Sequence, residues 1–307
     1  MASSLFFLAL GSAILFVGSE WLINAAKAIA RKLRFSDFVI GLTVVAIGTS
    51  FPELVVGIIS ALGEYPEFVM GNVLGSNVAN IGLALGLPAL FYSIKFQVNH
   101  IRDVIAYNIL ACVYLYFISL DHMISLEDSL GLLLIFSVFI FGRIFRASID
   151  TEPSNGTQVS GNIFPSLVSL LAGGMCLYWG SELFINNGAV PLMKESGLSE
   201  RAIGMTVVAI GTSLPEVFVT MVALSKKEVG ISLGNIIGSN ILNIVFVLGI
   251  VGLINPIAFS NINFELFYGL ILVFLLLPLS LFFGGLNRSS GIFLLLLYTI
   301  FLYLQFS

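Results

Sequence analysis

Apolar runs of about 20 residues alternate along the chain with short polar connections. A helical run of this length spans the hydrocarbon core of a bilayer. The pattern predicts ten transmembrane helices, called helices 1 to 10 below, at 4–30, 37–63, 66–92, 101–120, 125–146, 163–188, 200–225, 229–254, 263–284 and 289–306. The predicted fold class is therefore an all-α polytopic membrane protein.

One polar stretch divides the ten helices into two sets of five. It covers residues 147–162 and is too short to form a domain, so we interpret it as a flexible linker. Residues 1–146 and 163–307 are then two units of five helices each.

Each unit contains a copy of the same polar segment within apolar sequence. Residues 40–53 read I-G-L-T-V-V-A-I-G-T-S-F-P-E, and residues 203–216 differ from them at two of fourteen positions. A second shared run, G-N-x-x-G-S-N-x-x-N-I, occurs at 71–81 and 234–244. Both runs keep a constant offset of 163 residues, which indicates that the two units are copies of one repeat.

Composition and charge agree with a membrane location and predict its orientation. Only 10% of the residues are charged and 58% are hydrophobic, whereas soluble domains have about 25% charged residues. Eleven of the thirteen Lys and Arg residues fall at the connections that follow odd-numbered helices; Lys194 and Arg201 are on the other side. Because cytoplasmic loops collect basic residues, we expect both termini outside, a cytoplasmic linker and a multi-pass protein of the cell (inner or plasma) membrane.

This orientation has a consequence for the repeats. Five is an odd number of crossings, so the second unit enters the membrane in the opposite sense to the first, which gives two inverted five-helix repeats. Such an architecture is typical of transporters, with the substrate site near the midplane where the repeats meet. We expect one chain within the lipid bilayer to function as a monomer. No segment is basic enough to suggest a nucleic acid partner, and Cys112 and Cys176 lie in apolar runs without signs of a disulfide.

Glu53 and Glu216 lie in the middle of predicted helices 2 and 7. An ionised carboxylate at that depth costs at least roughly 2.5–3.5 kcal/mol and therefore needs a partner. The neighbouring apolar runs contain no Lys or Arg. The remaining partners are a bound cation, a proton or polar side chains.

The residues just before each Glu supply further oxygen atoms. Helical spacing predicts that Thr49 and Ser50 converge with Glu53 on one helix face. Pro52 has no N–H and clashes with the preceding turn, so we expect a kink that makes backbone carbonyl groups available. The second copy repeats this arrangement with Thr212, Ser213, Pro215 and Glu216.

Helices 3 and 8 carry polar stripes with a spacing of four residues. Asn72, Ser76 and Asn80 form the first stripe, and cation binding and interhelical hydrogen bonding remain equally open as its role. The second stripe consists of Asn235, Ser239 and Asn243. Glycines recur beside both stripes, as small residues do where membrane helices pack closely; they are Gly71, Gly75, Gly234 and Gly238.

A set of oxygen ligands that includes two carboxylates suits a hard cation. Ca²⁺ accepts six to eight oxygen ligands in flexible cages, whereas Mg²⁺ resists dehydration and softer metals prefer sulfur or nitrogen. Two Glu side chains neutralise one Ca²⁺, and the same oxygens could bind several Na⁺ ions instead. A shared site of this kind is what an antiporter needs.

The motifs G-T-S-x-P-E and G-S-N in two inverted copies resemble the repeats of the cation/Ca²⁺ exchanger superfamily, and among them those of prokaryotic Na⁺/Ca²⁺ exchangers. The resemblance implies a secondary active antiporter that exchanges Na⁺ for Ca²⁺ by alternating access, with helices 1 and 6 sliding over the core. It implies a Ca²⁺ site formed by Glu53, Glu216, Thr49 and Thr212. It implies Na⁺ sites formed by Ser50, Ser213, Ser76, Ser239, Asn80, Asn243, Glu53 and Glu216, with backbone carbonyls near Ala46 and Ala209.

The sequence departs from some branches of this superfamily. Asn243 stands where many relatives have Asp, which argues against K⁺ co-transport. The G-N-x-x-E pattern of proton-coupled exchangers is absent from the core helices, but an H⁺/Ca²⁺ antiporter is the alternative within the transporter class. A Ca²⁺-permeable channel is the alternative from another class, although channels normally need oligomeric symmetry.

Enzyme activity is not expected, because no His lies in mid-membrane to activate a Ser and no H-E-x-x-H metal motif occurs. We expect no covalent cofactor; Na⁺ and Ca²⁺ are the transported ions. Glu20 and Glu182 occupy matching positions in helices 1 and 6. Pairing with interfacial Lys or Arg is their expected role, and a part in the sliding motion is the alternative.

Overall fold

The structure, a computed structural model, describes residues 2–33, 35–62, 66–96, 98–149, 163–189, 191, 211–259 and 262–306. Nearly all of these residues are helical. Before the linker the helices are α1 (Ala2–Leu33), α2a (Asp37–Thr49), α2b (Phe51–Leu62), α3 (Pro66–Ala79, continued by Asn80–Leu85 and Gly86–Ala89), α4 (Val98–Ile118) and α5 (Leu126–Ile149). After it they are α6 (Phe164–Glu182, continued by Leu183–Ala189), α7 (Leu214–Ser225), α8 (Val229–Leu242, continued by Asn243–Val247 and Leu248–Ile254), α9 (Asn263–Phe283) and α10 (Arg288–Phe306).

The lengths of these helices confirm a multi-pass membrane protein. Within the described ranges, six helices are long and apolar enough to cross a membrane, and a seventh span results if α2a and α2b count as one. Several predicted features lie outside the described residues: the beginning of predicted helix 7, which includes Arg201 and Ala209, then Lys194, and most of the linker.

Predicted helix 2 is broken rather than smoothly kinked. The axes of α2a and α2b differ by 41°, and the break falls at Ser50, two residues before Pro52. The reason is that proline is favourable in the first turn of a helix, where its missing N–H would be unpaired in any case. A new helix therefore begins just before the proline. α7 begins in the same way, with Pro215 in its first turn.

α1 and α6 pack against each other in antiparallel directions through glycines. A Cβ atom added to Gly11 would lie 2.9 Å from the carbonyl oxygen of Gly180, and one added to Gly18 would lie 3.0 Å from that of Gly173. Only glycine allows the two backbones to approach this closely. The pair packs on α2a, α7 and the beginning of α8 through one apolar cluster, and the buried residues of the main core cluster come from parts of the chain other than α1 and α6.

Two short antiparallel strand pairs join the two halves of the chain. β1 (Ile94–Lys95) pairs with β4 (Gly285–Leu286), and β2 (Met123–Ile124) pairs with β3 (Ile257–Ala258). Each pair links a helix connection of the first half to one of the second half. Gly285 has a φ of 136°, and a Cβ there would lie 2.0 Å from the Ile94 carbonyl oxygen, so β4 requires glycine at this position.

α2a and α8 also approach closely through glycines. A Cβ on Gly234 would lie 2.4 Å from the Phe38 carbonyl oxygen, and one on Gly238 would lie 2.6 Å from that of Leu42. The packing role predicted for these two glycines is thus confirmed. For Gly71 and Gly75, no described atom lies within 4 Å of an added Cβ.

The close approach at Gly234 leads to a stability prediction. The Cβ atom of Gly234→Ala would push the backbone of α8 away from that of α2a. We expect this variant to lower the free energy of unfolding by roughly 1–3 kcal/mol, the usual effect of overpacking. The melting temperature in detergent measures this. Gly269→Ala is the matched control, because its Cβ would make an ordinary 3.6 Å contact with Val78. Equal melting temperatures for the two variants would contradict the prediction.

Candidate cation site

Glu53 and Glu216 occupy equivalent places in the two halves. Each lies in the first turn of a helix, α2b for Glu53 and α7 for Glu216, and both side chains are fully buried. The positive end of the helix dipole stabilises a carboxylate in this position. Like charges that are buried in the same protein interior repel each other, and a cation bound between the two carboxylates would relieve that repulsion.

Hydroxyl groups from both halves of the chain lie beside the carboxylates. Ser239 Oγ donates a 3.3 Å hydrogen bond to Glu216 Oε1. Thr49 Oγ1 lies 3.2 Å from Ser239 Oγ and donates a 2.9 Å bond to Asn235 Oδ1. These bonds tie α2a to α8 directly beside the carboxylate of α7.

The equivalent contacts occur on the other side. Ser76 Oγ lies 2.9 Å from Thr212 Oγ1. Thr212 and Ser239 lie 163 residues after Thr49 and Ser76. The Ser76–Thr212 pair is therefore the counterpart of the Ser239–Thr49 pair, with the two halves exchanged.

Neither Thr49 nor Ser50 forms a hydrogen bond with the Glu53 of its own copy. The side-chain partners of Thr49 lie on α8, and the Ser50 hydroxyl has no hydrogen-bond partner among the described residues. The break at Ser50 is the physical reason, because the spacing rule holds only within one continuous helix.

Four amide side chains form a reciprocal network, here called the amide brace: Asn77, Asn80, Asn240 and Asn243. Asn77 Nδ2 donates to the Asn240 carbonyl at 3.0 Å, and Asn240 Nδ2 donates to the Asn77 carbonyl at 3.2 Å. Asn80 Nδ2 donates to Asn240 Oδ1 at 2.9 Å, and Asn243 Nδ2 donates to Asn77 Oδ1 at 3.2 Å. The brace therefore fixes which way the amides of Asn80 and Asn243 point.

The atoms left without partners around this network are mostly oxygens. Buried polar groups normally have hydrogen bonds, and each unpaired one costs about 1–3 kcal/mol. Within the described ranges, the buried side-chain oxygens near the two carboxylates that lack a hydrogen bond are Ser50 Oγ, Glu53 Oε1 and Oε2, Asn72 Oδ1, Asn80 Oδ1, Ser213 Oγ, Glu216 Oε2 and Asn243 Oδ1. Oxygen acceptors of this kind are the ligands that Na⁺ and Ca²⁺ need.

Hydroxyl and amide oxygens must supply most of the ligands. In the part of the chain that the structure describes, no group of three or more His, Cys, Asp or Glu side chains could hold a metal ion. Two carboxylates surrounded by neutral oxygens suit a weakly held, exchangeable ion rather than a permanent metal, because affinity rises with the number of charged ligands.

The helices widen locally at the amides. A π-helical segment begins at Asn80 in α3 and another at Asn243 in α8. Such segments are rare and frequently occur at functional sites. They were not predicted from the sequence.

Most predicted site residues lie in this region, with two qualifications. The Ala46 carbonyl already accepts bonds from Ser50 N at 3.0 Å and Thr49 Oγ1 at 3.3 Å, so it is not a free ligand in this state. Its counterpart Ala209 is outside the described residues.

Four further residues belong to the site although the predicted ligand set omitted them. Asn72 donates to the Glu53 carbonyl at 3.3 Å and Asn235 accepts from Thr49, while Asn77 and Asn240 form the centre of the brace. Their repetition at an offset of 163 was the signal available in the sequence.

Comparison with known proteins agrees with these observations. The profile of the family described as "Sodium/calcium exchanger protein" matches residues 3–145 and again 165–307. A membrane protein of Methanocaldococcus jannaschii is 35% identical over 95% of this chain and 94% of its own length. The sodium/calcium exchanger MaX1 of Methanosarcina acetivorans is 29% identical over 97% of each chain.

A solved structure extends the similarity to three dimensions. The sodium-calcium exchanger NCX_Mj, soaked with Na⁺, superimposes with a TM-score of 0.82 at 33% identity and covers 97% of both chains. Sequence, fold and the duplicated site thus lead to one assignment: the chain belongs to the sodium/calcium exchanger family.

Proposed function

We propose that this protein is a secondary active antiporter that exchanges Na⁺ for Ca²⁺. The observation that carries the proposal is the meeting of two fully buried carboxylates, Glu53 and Glu216, among unpaired oxygens from both halves of the chain. The relative MaX1 is a sodium/calcium exchanger, and the NCX_Mj structures were soaked with Na⁺, Ca²⁺ or Sr²⁺; both support the choice of ions.

The proposed architecture consists of two inverted five-helix repeats, residues 1–146 and 163–307, joined by the linker 147–162. Two matches of one family profile support the division. The antiparallel packing of α1 with α6, the reciprocal bonds of the amide brace and the two strand pairs support a two-fold relation between the repeats. The distribution of basic residues favours a cytoplasmic linker and both termini outside.

The proposed Ca²⁺ ligands are Glu53, Glu216, Thr49 and Thr212. The proposed Na⁺ sites use the same two carboxylates together with Ser50, Ser213, Ser76, Ser239, Asn80 and Asn243. The carbonyls of Ala46 and Ala209 complete the Na⁺ sites, and at Ala46 this requires the Thr49 hydroxyl to release the carbonyl. Because the sets share both carboxylates, one Ca²⁺ and several Na⁺ ions exclude each other, which is the condition for exchange.

Alternating access would move α1 and α6 over the remaining helices. Their separate apolar interface with α2a and α7 supports this division into a mobile pair and a core. Apolar contacts are non-directional, so a sliding interface keeps much of its stabilisation in both positions. One chain would suffice, and no cofactor takes part besides the transported ions.

Flux in proteoliposomes tests the function. We expect the purified protein to take up ⁴⁵Ca²⁺ when an outward Na⁺ gradient is imposed and to stop when that gradient is removed. Imposed H⁺ and K⁺ gradients without Na⁺ are the controls. Ca²⁺ uptake that follows the pH gradient and ignores Na⁺ would instead establish the H⁺/Ca²⁺ antiporter, and flux without any counter-ion would indicate a channel.

A further inference from the structure

Charged side chains connect α1 to the turn between α7 and α8. Lys27 Nζ forms an ion pair with the carboxylate of Glu228. Lys226 Nζ lies 3.0 Å from Glu20 Oε1 and donates a 3.2 Å hydrogen bond to Asn24 Oδ1. These five residues are called the latch below, because they bridge the proposed mobile pair of helices and the core.

The latch is partly shielded from solvent. The side chains of Lys27 and Glu228 are 27% and 15% exposed, and those of Lys226 and Glu20 are 26% and 40% exposed. Ion pairs that are fully exposed contribute little, whereas partial burial strengthens the attraction. The Lys27–Glu228 pair is therefore expected to contribute more than the Lys226–Glu20 pair.

The protein is closed beneath the latch. Thr220 and Ser232, which lie on α7 and α8 between the turn and the carboxylates, are fully buried. Their hydroxyl groups have no hydrogen-bond partner within the described ranges. Opening at this end would let water reach these hydroxyls and would require α1 to leave the turn.

The two repeats are not equivalent in this feature. At the offset of 162 that relates α6 to α1, Glu20 and Asn24 recur as Glu182 and Asn186, but Lys27 is replaced by Ala189. Glu182 accepts a hydrogen bond from Asn186 within α6 itself.

The turn of the first repeat differs as well. At the offset of 163, Lys226 corresponds to Gly63 and Glu228 to Tyr65. The matching positions of the opposite end therefore offer no basic side chain to Glu182. Within the described residues the latch occurs at the end formed by the α7–α8 turn, and ion pairs that stabilise one closed end make the two access states unequal in energy.

We propose that Glu20, Asn24, Lys27, Lys226 and Glu228 are positioning residues of the transport cycle, which favour the access state that is closed at the α7–α8 turn. This inference rests on the proposed alternating access. The latch contacts no transported ion. The latch holds α1 against the α7–α8 turn. It thereby sets the relative populations of the two access states to which the ions bind.

Breaking the latch has a signature that loss of a ligand lacks. Each face binds ions only in the state that is open to it, so the apparent affinity at that face scales with the population of that state. A latch variant is therefore expected to bind Ca²⁺ more tightly at the latch face and more weakly at the opposite face. The two shifts have opposite signs.

The first experiment measures sidedness with Glu228→Gln. Half-saturating Ca²⁺ concentrations are determined from each face in oriented proteoliposomes, and their ratio is expected to change about fivefold, which corresponds to about 1 kcal/mol at 1.4 kcal/mol per factor of ten. The exchanged pair Lys27→Glu with Glu228→Lys is expected to restore the ratio. Glu182→Gln removes the α6 counterpart of Glu20; it is the control and should leave the ratio unchanged.

The second experiment reports on opening without any transport. Thr220→Cys is placed in a background with Cys112→Ser and Cys176→Ser, and alkylation of the new thiol is followed with a membrane-impermeant maleimide at the latch face. Adding Glu228→Gln is expected to accelerate the labelling about fivefold, and the exchanged pair is expected to slow it again.

The outcomes separate the latch from the proposed function. An unchanged labelling rate, or Ca²⁺ affinities that shift in the same direction at both faces, would overturn the latch. If the unmodified protein shows no Na⁺-dependent Ca²⁺ flux, the proposed function fails, while the labelling experiment still decides whether the ion pairs hold this end closed.

Discussion

Glu53→Gln and Glu216→Gln are each expected to reduce Na⁺-driven Ca²⁺ flux by at least about 100-fold, because each removes one of two charged ligands and cation affinity depends on ligand charge. The remaining carboxylate leaves a divalent ion half neutralised in a medium where unbalanced charge is expensive. The measurement is initial-rate ⁴⁵Ca²⁺ uptake into proteoliposomes. Normal uptake by either variant would remove that carboxylate from the ion site.

The same variants should be folded, and this makes the flux result interpretable. Glutamine has nearly the size of glutamate, and the substitution removes one of two like charges that are both fully buried. We therefore expect an equal or higher melting temperature in buffer without Na⁺ and Ca²⁺. Glu127→Gln, at an exposed position in the first turn of α5, is the matched control and should keep full flux.

Asn240→Leu is expected to lower the free energy of unfolding by roughly 2–5 kcal/mol. The change leaves the Asn77 carbonyl without its donor and Asn80 Nδ2 without its acceptor, and each buried group left unpaired costs about 1–3 kcal/mol. Asn77→Leu should have a similar effect, since its bonds mirror those of Asn240. Thermal melting in detergent measures both.

The control for the amide brace is Asn255→Ala, which removes a single bond to the Ala61 carbonyl at an exposed position. It should shift the melting temperature little. If Asn240→Leu were as stable as this control, the brace would not contribute to holding the two halves together.

The apolar pattern of the sequence predicted the bounds of the described helices well. Long apolar runs determine membrane spans because each must match the bilayer, and the described helices begin and end within three residues of the predictions, apart from α7, whose predicted beginning lies outside the described residues. Repetition at a constant offset identified Glu53 and Glu216 without an alignment, since chance does not place two carboxylates in identical apolar contexts.

The contacts inside the site could not be predicted in the same way. Thr49 bonds to a residue 186 positions later in the chain, and Asn77 to one 163 positions later. Local spacing carries no information about such partners. Thr49 pairs with α8 rather than with Glu53 because of where α2a stops, and this in turn depends on the preference of Pro52 for a first helical turn.

The amide brace also gives Asn243 a physical role. An ionised Asp at this position could not donate a hydrogen bond to Asn77 Oδ1, as Asn243 Nδ2 does at 3.2 Å. The neutral amide holds its bond whether or not the site contains ions. The same amide therefore makes the proposed site less acidic and fixes the orientation of Asn243 Oδ1, the proposed ligand.

The two strand pairs have a consequence for biosynthesis. β1, at Ile94–Lys95, leaves the ribosome long before β4, at Gly285–Leu286, has been translated, and β2 likewise waits for β3. Until then the nascent chain carries unpaired strand edges, which readily pair with other chains. Helices can insert into the membrane from the first span onward, but the core closes only when translation is nearly complete. A chain that ends before Gly285 therefore leaves β1 without its partner.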